Sequence, residues 1–247
     1  FLSSPLYGPT QSPRTVRTRM NVELLRLDSP LGYAGSDALF SMAEMQTALF
    51  ANDSLTAQLL LPELLAACAD SPERTLATET IDLKVACSVL ADWDRRFNLD
   101  SRGAVLFREW LTRYPYNETY LGRELFALPF NPAEPLTTPA GLKDADTALD
   151  KLAEAVALMQ QVGIPLDAPL GKHQRGHRMN EIFPVHGGNR REGIANLQVA
   201  ATRYSNPTET PVYTGSGAFM ADSESLSETG YNVVHGSSFI LTLAFTD

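Results

Sequence analysis

The sequence predicts an α+β fold, in which a mainly helical part (residues 1–165) precedes a strand-rich tail (residues 166–247). In the first part, apolar residues recur every three or four positions, which is the period of an amphipathic helix. After residue 165 this period is lost, and Gly, Asn, Thr and Ser become frequent between short apolar stretches. Helices and strands that are segregated along a chain are typical of the α+β class.

Six helices are predicted in the first part, from capping residues followed by periodic apolar faces. Pro62 lies inside the third and should kink or divide it, because proline lacks the N–H group that a helix interior needs. The proline-rich residues 1–14 predict an extended loop, and residues 115–141 predict a connection. The predicted helices span about 15–27, 37–50, 54–67, 78–95, 102–114 and 143–161.

Four strands are predicted in the tail, at 181–185, 194–202, 212–214 and 233–245. The last alternates large apolar residues such as Leu241 and Leu243 with their neighbours, which is the period of a strand. So few strands make a small sheet for so many helices. The chain also starts at Phe1 rather than Met. A mature domain can begin in this way after processing, and so can a piece of a larger polypeptide. The small sheet indicates strands supplied from elsewhere.

Composition and charge disfavour a nucleic-acid or membrane partner. The net charge is −9 and the pI is about 5.0, whereas nucleic-acid surfaces need clustered cations. No run approaches the roughly 18 apolar residues of a membrane span. The one basic stretch forms no stripe, since positions 17 and 19 point to different sides of a helix. It contains Arg14, Arg17, Arg19 and Arg26.

The two cysteines, Cys68 and Cys87, lie in predicted helices on either side of a turn at residues 70–72. Two antiparallel helices could bring the thiols together. A disulfide would then close a loop of about 20 residues and contribute about 3 kcal/mol. Two buried free thiols fit the spacing equally well. The spacing leaves both alternatives open, and the redox compartment would decide between them.

The residues alone predict no complete catalytic site. His173 and His177 have the spacing of metal ligands on a helix, with Glu181 and His186 nearby, but the intervening Gly176 disfavours that helix. Exposed loop histidines are therefore favoured over a metal site. The glycine pair at 187–188 predicts a turn rather than a phosphate loop. No serine has the flanking pattern of a nucleophile elbow, including Ser216, Ser237 and Ser238.

Several segments spread over the chain nevertheless carry a resemblance to a known family. They are residues 12–20, 91–94 with 99–101, 186–188, 193–196 and 233–240. In this order they resemble the penicillin amidase family, in particular its acyl-homoserine lactone acylases and a related siderophore-maturation acylase. The resemblance extends over nearly the whole chain.

This resemblance implies an N-terminal nucleophile (Ntn) hydrolase, whose αββα sheet would include the predicted antiparallel strands. In such enzymes a precursor cleaves itself into α and β subunits. The new N-terminal Ser attacks an amide carbonyl, with its own α-amino group as base and an Asn in the oxyanion hole. Phe1 does not match that Ser, and the matching Asn would precede Phe1. We therefore expect an inactive C-terminal part of a β subunit, whose partners are the rest of β and the α subunit.

One catalytic residue carries over by resemblance. Arg17 matches an arginine that supports the catalytic amino group and the oxyanion Asn, and Arg14 is the competing candidate. The family's periplasmic or secreted location favours a Cys68–Cys87 disulfide. No cofactor is implied, and a structural calcium ion is allowed but has no assignable ligands.

The expected substrate is an amide, in the first place an acyl-homoserine lactone, which would make the parent enzyme a quorum-quenching acylase. Penicillin, cephalosporin and lipopeptide amides are alternatives. A non-catalytic helical binding module is the alternative outside enzymes.

Overall fold

The computed structural model describes residues 11–77, 79–115, 125–179, 181–204, 217–237 and 240–243. Within these ranges the helices are α1 Val16–Leu25, α2 Met42–Leu49, α3 Leu55–Asp70, α4 Lys84–Asp92, α5 Ala104–Thr112, α6 Ala145–Gln161 and α7 Leu170–His173. The strands are β1 Glu73–Thr75, β2 Thr80–Asp82, β3 Phe126–Leu128, β4 Ala140–Leu142, β5 Gln174–Arg178, β6 Glu181–Pro184, β7 Gln198–Ala200 and β8 Tyr231–Gly236. This mixed content confirms the predicted α+β class.

The hydrophobic core lies where α3, α5 and α6 pack together. Helix α5 is buried on all sides from Ala104 to Leu111, as expected for a helix without a polar face. Its Trp110 is fully buried and donates a hydrogen bond from Nε1 to the Ala148 carbonyl oxygen of α6 at 3.0 Å. Each large apolar side chain buried in this way contributes about 1.5–3 kcal/mol.

Capping residues decide where the helices begin. Ser54 caps α3 by accepting a hydrogen bond from the Ala57 N–H group at 3.1 Å. Helix α2 begins later than predicted, because Ser41 and Glu44 form a reciprocal capping box in front of it. Pro62 does not divide α3, which continues to Asp70 with its apolar residues packed in the core.

The predicted helix 78–95 is wrong over its first residues. Residues 80–82 form β2, which pairs antiparallel with β1, and only Lys84–Asp92 is helical. The single buried residue Ile81 satisfies an alternating strand pattern as well as a helical one. The hairpin between α3 and α4 brings Cys68 and Cys87 to a Cα–Cα distance of 6.2 Å, and the two are joined in a disulfide.

A four-stranded sheet in the order β6-β5-β8-β7 forms the tail. Neighbouring strands run antiparallel except for the parallel pair β5 and β8. Strand β5 was not predicted, and β7 is shorter than the predicted strand 194–202. Strand β8 covers only the start of the predicted strand 233–245, and residues 240–243 are described but are not a strand. The predicted strand 212–214 lies outside the described residues.

The tail and the helices share one hydrophobic core. Ile194, Leu226 and Tyr231 are fully buried in the cluster that contains the α3, α5 and α6 side chains. Strand β8 therefore packs the tail directly against the helical part through Tyr231. None of the helices described is long and apolar enough to cross a membrane.

Candidate active site

Arg17 lies in the first turn of α1 and contacts the segment 193–195. Its Nη2 atom donates a hydrogen bond to the Ala195 carbonyl oxygen at 2.9 Å. Its Nε atom is buried and has no hydrogen-bond partner among the residues that the structure describes. Burial lowers the pKa of Arg17, and the nearby positive charge of Arg190 lowers it further. A buried donor without a partner costs about 1–3 kcal/mol, so this guanidinium has the capacity to bind a further acceptor.

The position of Arg17 follows from how α1 docks. Thr15 caps the helix by accepting a hydrogen bond from the Thr18 N–H group at 3.0 Å. Val16 is buried against Gly193, whose φ of 69° favours glycine. A Cβ atom at Gly193 would lie 2.9 Å from Val16 Cγ1, which is closer than real contacts allow. Glycine at this position therefore lets the helix approach the segment that Arg17 contacts.

The neighbouring arginines have different environments. Arg19 is 2% exposed, and its Nε and Nη1 atoms donate to the Leu136 and Pro139 carbonyl oxygens at 2.9 and 2.7 Å. Arg19 therefore fastens α1 to the segment before β4. Arg14 is exposed on the surface. Of the three, only Arg17 combines partial burial with an unused donor, although its catalytic role stays a prediction.

A cluster of amides surrounds His186 and joins two of the family segments. The Nδ2 atoms of Asn52 and Asn196 lie 2.9 and 3.2 Å from His186 Nδ1. Asn52 Nδ2 also donates to Asn98 Oδ1 at 2.8 Å, and Asn196 Nδ2 donates to Asn52 Oδ1 at 3.1 Å. Because an amide nitrogen can only donate, Nδ1 is the acceptor in both contacts, and the ring N–H group is at Nε2. The cluster ties segments 186–188 and 193–196 to the start of α3.

A second polar contact fixes the same end of α3. Asp53 accepts hydrogen bonds from the Tyr33 hydroxyl at 2.8 Å and from Arg96 Nε at 2.9 Å. Burial and the hydrogen bond to Asp53 raise the pKa of Tyr33 to about 12. The loop before α2 is thereby joined to the loop after α4.

A buried ion pair holds the turn 189–192. Arg108 of α5 donates from Nε to Glu192 Oε1 at 2.5 Å and from Nη1 to Gln174 Oε1 at 2.7 Å. Glu192 also accepts from the Asn189 N–H group at 2.6 Å. Arg108 and Glu192 are both almost completely buried. The turn that carries Arg190 is therefore fixed by a charge pair that the sequence did not reveal.

The histidines weighed as metal ligands are not on one helical face. His173 ends α7, and His177 lies in β5. Burial lowers the pKa of His173. The described part of the chain contains no group of three or more His, Cys, Asp or Glu residues that could hold a metal ion. Ser216 and Ser238 lie outside the described residues.

The chain matches known proteins over nearly all of its length. The model of the penicillin amidase family matches residues 3–247. Aculeacin-A acylase from Actinoplanes utahensis is 29% identical over 244 residues, covering 96% of this chain and 26% of that protein. The acyl-homoserine lactone acylase PvdQ from Pseudomonas syringae pv. syringae is 28% identical, covering 78% of this chain and 24% of that protein.

A second PvdQ, from Pseudomonas putida, is also 28% identical and covers 90% of this chain. The chain spans about a quarter of the length of the curated relatives that it matches. The family model, by contrast, matches nearly all of this chain. This match confirms the resemblance found in the sequence. The chain belongs to the penicillin amidase family.

Proposed function

We propose that this chain is the C-terminal part of the β subunit of an amide-hydrolysing acylase, and that the acyl-homoserine lactones are its substrate class. Two of the relatives named above are acyl-homoserine lactone acylases, and the third is also an acylase. Because this chain covers about a quarter of their length, we propose that the parent protein has further segments, among them the α subunit and the rest of β. The nucleophilic Ser and the oxyanion Asn are proposed to belong to those segments.

The environment of Arg17 is the observation that carries this proposal. Its guanidinium is anchored at one end by the Ala195 carbonyl oxygen, whereas its buried Nε atom has no partner in the described ranges. A fixed positive charge with an unused donor suits a group that develops negative charge during amide hydrolysis. The same charge favours the neutral form of a nearby amine, which is the form that can act as a base. Both effects match the role that the family resemblance assigns to Arg17.

The proposal is tested by co-expressing this chain with the upstream segment of its reading frame and measuring hydrolysis of a long-chain acyl-homoserine lactone. We expect activity in the assembled protein and none in the 247-residue chain alone. Replacing Arg17 by Ala should lower kcat/KM by about 10²-fold, the scale of losing one preorganised donor. Arg17→Lys should retain part of the activity, because it keeps the charge but not the fork of donors.

Two neighbouring arginines provide matched controls. Arg14→Ala removes an exposed charge and should leave kcat/KM within about twofold, since isolated surface charges contribute little. Arg19→Met removes a buried arginine and should lower the melting temperature without changing the kcat of the folded fraction. Hydrolysis by the isolated chain, or an Arg17→Ala enzyme that is fully active, would contradict the proposal.

Assays of the same co-expressed protein distinguish an acyl-homoserine lactone acylase from an acylase for other amides and from a binding protein. A panel with penicillin, cephalosporin and lipopeptide amides would identify one of those classes as the better substrate. A protein that assembles fully and hydrolyses none of them would favour the non-catalytic binding module. The periplasmic or secreted location is likewise a proposal, supported by the Cys68–Cys87 disulfide, since such bonds persist in oxidising compartments. Fractionation of cells that produce the full-length protein would test it.

A further inference from the structure

A small cavity of about 200 Å³ lies between the turn 189–191, strand β7 and helix α5. Its walls carry three guanidinium groups, and carbon atoms form the larger share of its exposed lining. Whole small-molecule sites occupy roughly 300–1,000 Å³, so this cavity can hold only part of a ligand. The charged residues of its lining are Arg108, Arg190, Arg191 and Glu224.

Two of the three guanidinium groups are neutralised by carboxylates. Arg108 is paired with Glu192 at 2.5 Å, and Arg191 is paired with Glu224 at 3.0 Å. Arg190 is exposed and forms no salt bridge with any residue in the described ranges. The cavity therefore has one uncompensated positive charge at its mouth, in a chain whose net charge is −9.

Arg190 is also close to the candidate active site. The turn that carries it is closed by a hydrogen bond from the Gly193 N–H group to the Arg190 carbonyl oxygen at 3.3 Å. Two residues further on, Ala195 accepts the hydrogen bond from Arg17. The charge of Arg190 is near enough to lower the pKa of Arg17, after the larger effect of burial. Two arginines are thus held near each other, and neither forms a salt bridge with a described carboxylate.

Such a pair of like charges is stabilised when an anion binds between or beside them. Guanidinium groups bind carboxylates with two parallel hydrogen bonds. A long acyl chain needs a larger pocket, whereas this cavity is small and has a guanidinium group available for a carboxylate. The cavity therefore fits the amine half of an amide substrate better than its acyl half.

We propose that this cavity is a subsite for the amine half of the substrate, and that Arg190 selects substrates whose amine half carries a carboxylate. The inference rests on the proposed function and adds a preference to it: among amides with the same acyl chain, N-acyl amino acids such as the ring-opened form of an acyl-homoserine lactone are better substrates than the neutral lactone. Arg190 is then a specificity residue, which contacts the substrate at a distance from the scissile bond.

The test compares two substrates with the same acyl chain in the full-length acylase. One is an N-acyl-homoserine lactone, which is neutral, and the other is the ring-opened N-acyl-homoserine, which carries a carboxylate. We expect Arg190→Gln to lower kcat/KM about tenfold for the ring-opened substrate, the scale of one hydrogen bond to a charged group. The value for the lactone should change less than twofold. Added salt should weaken the preference in the native enzyme, because exposed charges are screened.

Control variants and a binding measurement separate the possible failures. Arg178→Gln removes an exposed arginine of β5 outside the cavity. It should leave kcat/KM unchanged for both substrates. Calorimetric titration of each compound into native and Arg190→Gln protein reports binding without requiring turnover. If neither compound is hydrolysed but the ring-opened form binds in an Arg190-dependent way, the proposed function fails and the subsite stands. Equal binding and equal turnover of the ring-opened form by native and Arg190→Gln proteins would overturn the subsite.

Discussion

The helical core and the segment 186–196 are held in place by opposite kinds of interaction. In the core, α3, α5 and α6 bury apolar side chains against one another. In the segment, Ile194 packs into that core, but the other buried side chains are charged or polar, such as the Arg108–Glu192 pair and the amides around His186. Apolar contacts tolerate some repacking, whereas a buried charge requires its partner. The core therefore supplies stability, and the segment fixes the positions of individual groups.

This difference matters because the candidate site belongs to the second region. Arg17 and Arg190 are both positioned by residues 189–195, whose turn is anchored on α5 through Glu192. The core contacts the site through Arg108 of α5, which binds Glu192. At α3, Ser54 and Thr56 donate hydrogen bonds to the carbonyl oxygens of Glu192 and Arg191. A change in the core should alter global stability. A change in the segment should alter both local geometry and function.

The largest effect on stability is expected in the core. Trp110→Ala removes a fully buried indole and its hydrogen bond to the Ala148 carbonyl oxygen. It should lower the free energy of unfolding by about 4 kcal/mol, in the range of buried aromatic deletions, as measured by denaturant titration of the purified protein. Trp110→Phe should cost less, and Val85→Ala, at a position that is 64% exposed, should cost almost nothing. A loss below about 1 kcal/mol for Trp110→Ala would show that α5 is not central to the core.

The next effect is expected at the buried ion pair. Glu192→Gln keeps the shape of the side chain but leaves the buried guanidinium of Arg108 without its counter-charge. The free energy of unfolding should fall by about 3 kcal/mol, because breaking one member of a buried pair costs more than the pair contributes. Glu154→Gln, an exposed acid of α6, is the matched control.

A double variant distinguishes charge from packing at this pair. Replacing Arg108 by Met and Glu192 by Leu together should destabilise the protein less than Glu192→Gln alone, because no unpaired charge is then buried. If the double variant is instead the worse of the two, the pair contributes net stability. The turn 189–192 would then depend on the charges themselves.

The same contrast decides what could be predicted from the sequence. The apolar faces of α5 and α6 and the family segments were visible as patterns, because periodicity follows directly from burial. The start of the third helix was visible for a similar reason, since capping is local. Strand β5 was missed because its sequence around Gly176 has no alternation, and it is held between β6 and β8 by backbone pairing.

The polar contacts of the site could not be predicted in this way. Arg108 and Glu192 are 84 positions apart in the chain. A single sequence carries no signal that joins two residues at such a separation. A partial signal was present in α5, where an Arg-Glu pair interrupts an otherwise apolar helix. Two charges inside a buried helix indicate buried partners, although not which ones. Arg190 was overlooked because an exposed arginine in a turn is usually a solvated surface residue.

The smallest of these stability effects is expected at the disulfide, which ties α3 to α4 at the edge of the core. Replacing Cys68 and Cys87 together by Ala should lower the free energy of unfolding by at most about 3 kcal/mol, the loop-entropy value for a loop of this size. The loss should be smaller if the reduced chain retains the hairpin between the helices. Reduction of the native protein should give the same loss, whereas the double variant should not respond to reductant. Equal stability of oxidised, reduced and Ala proteins would mean that apolar packing alone holds the two helices together, as it does elsewhere in the core.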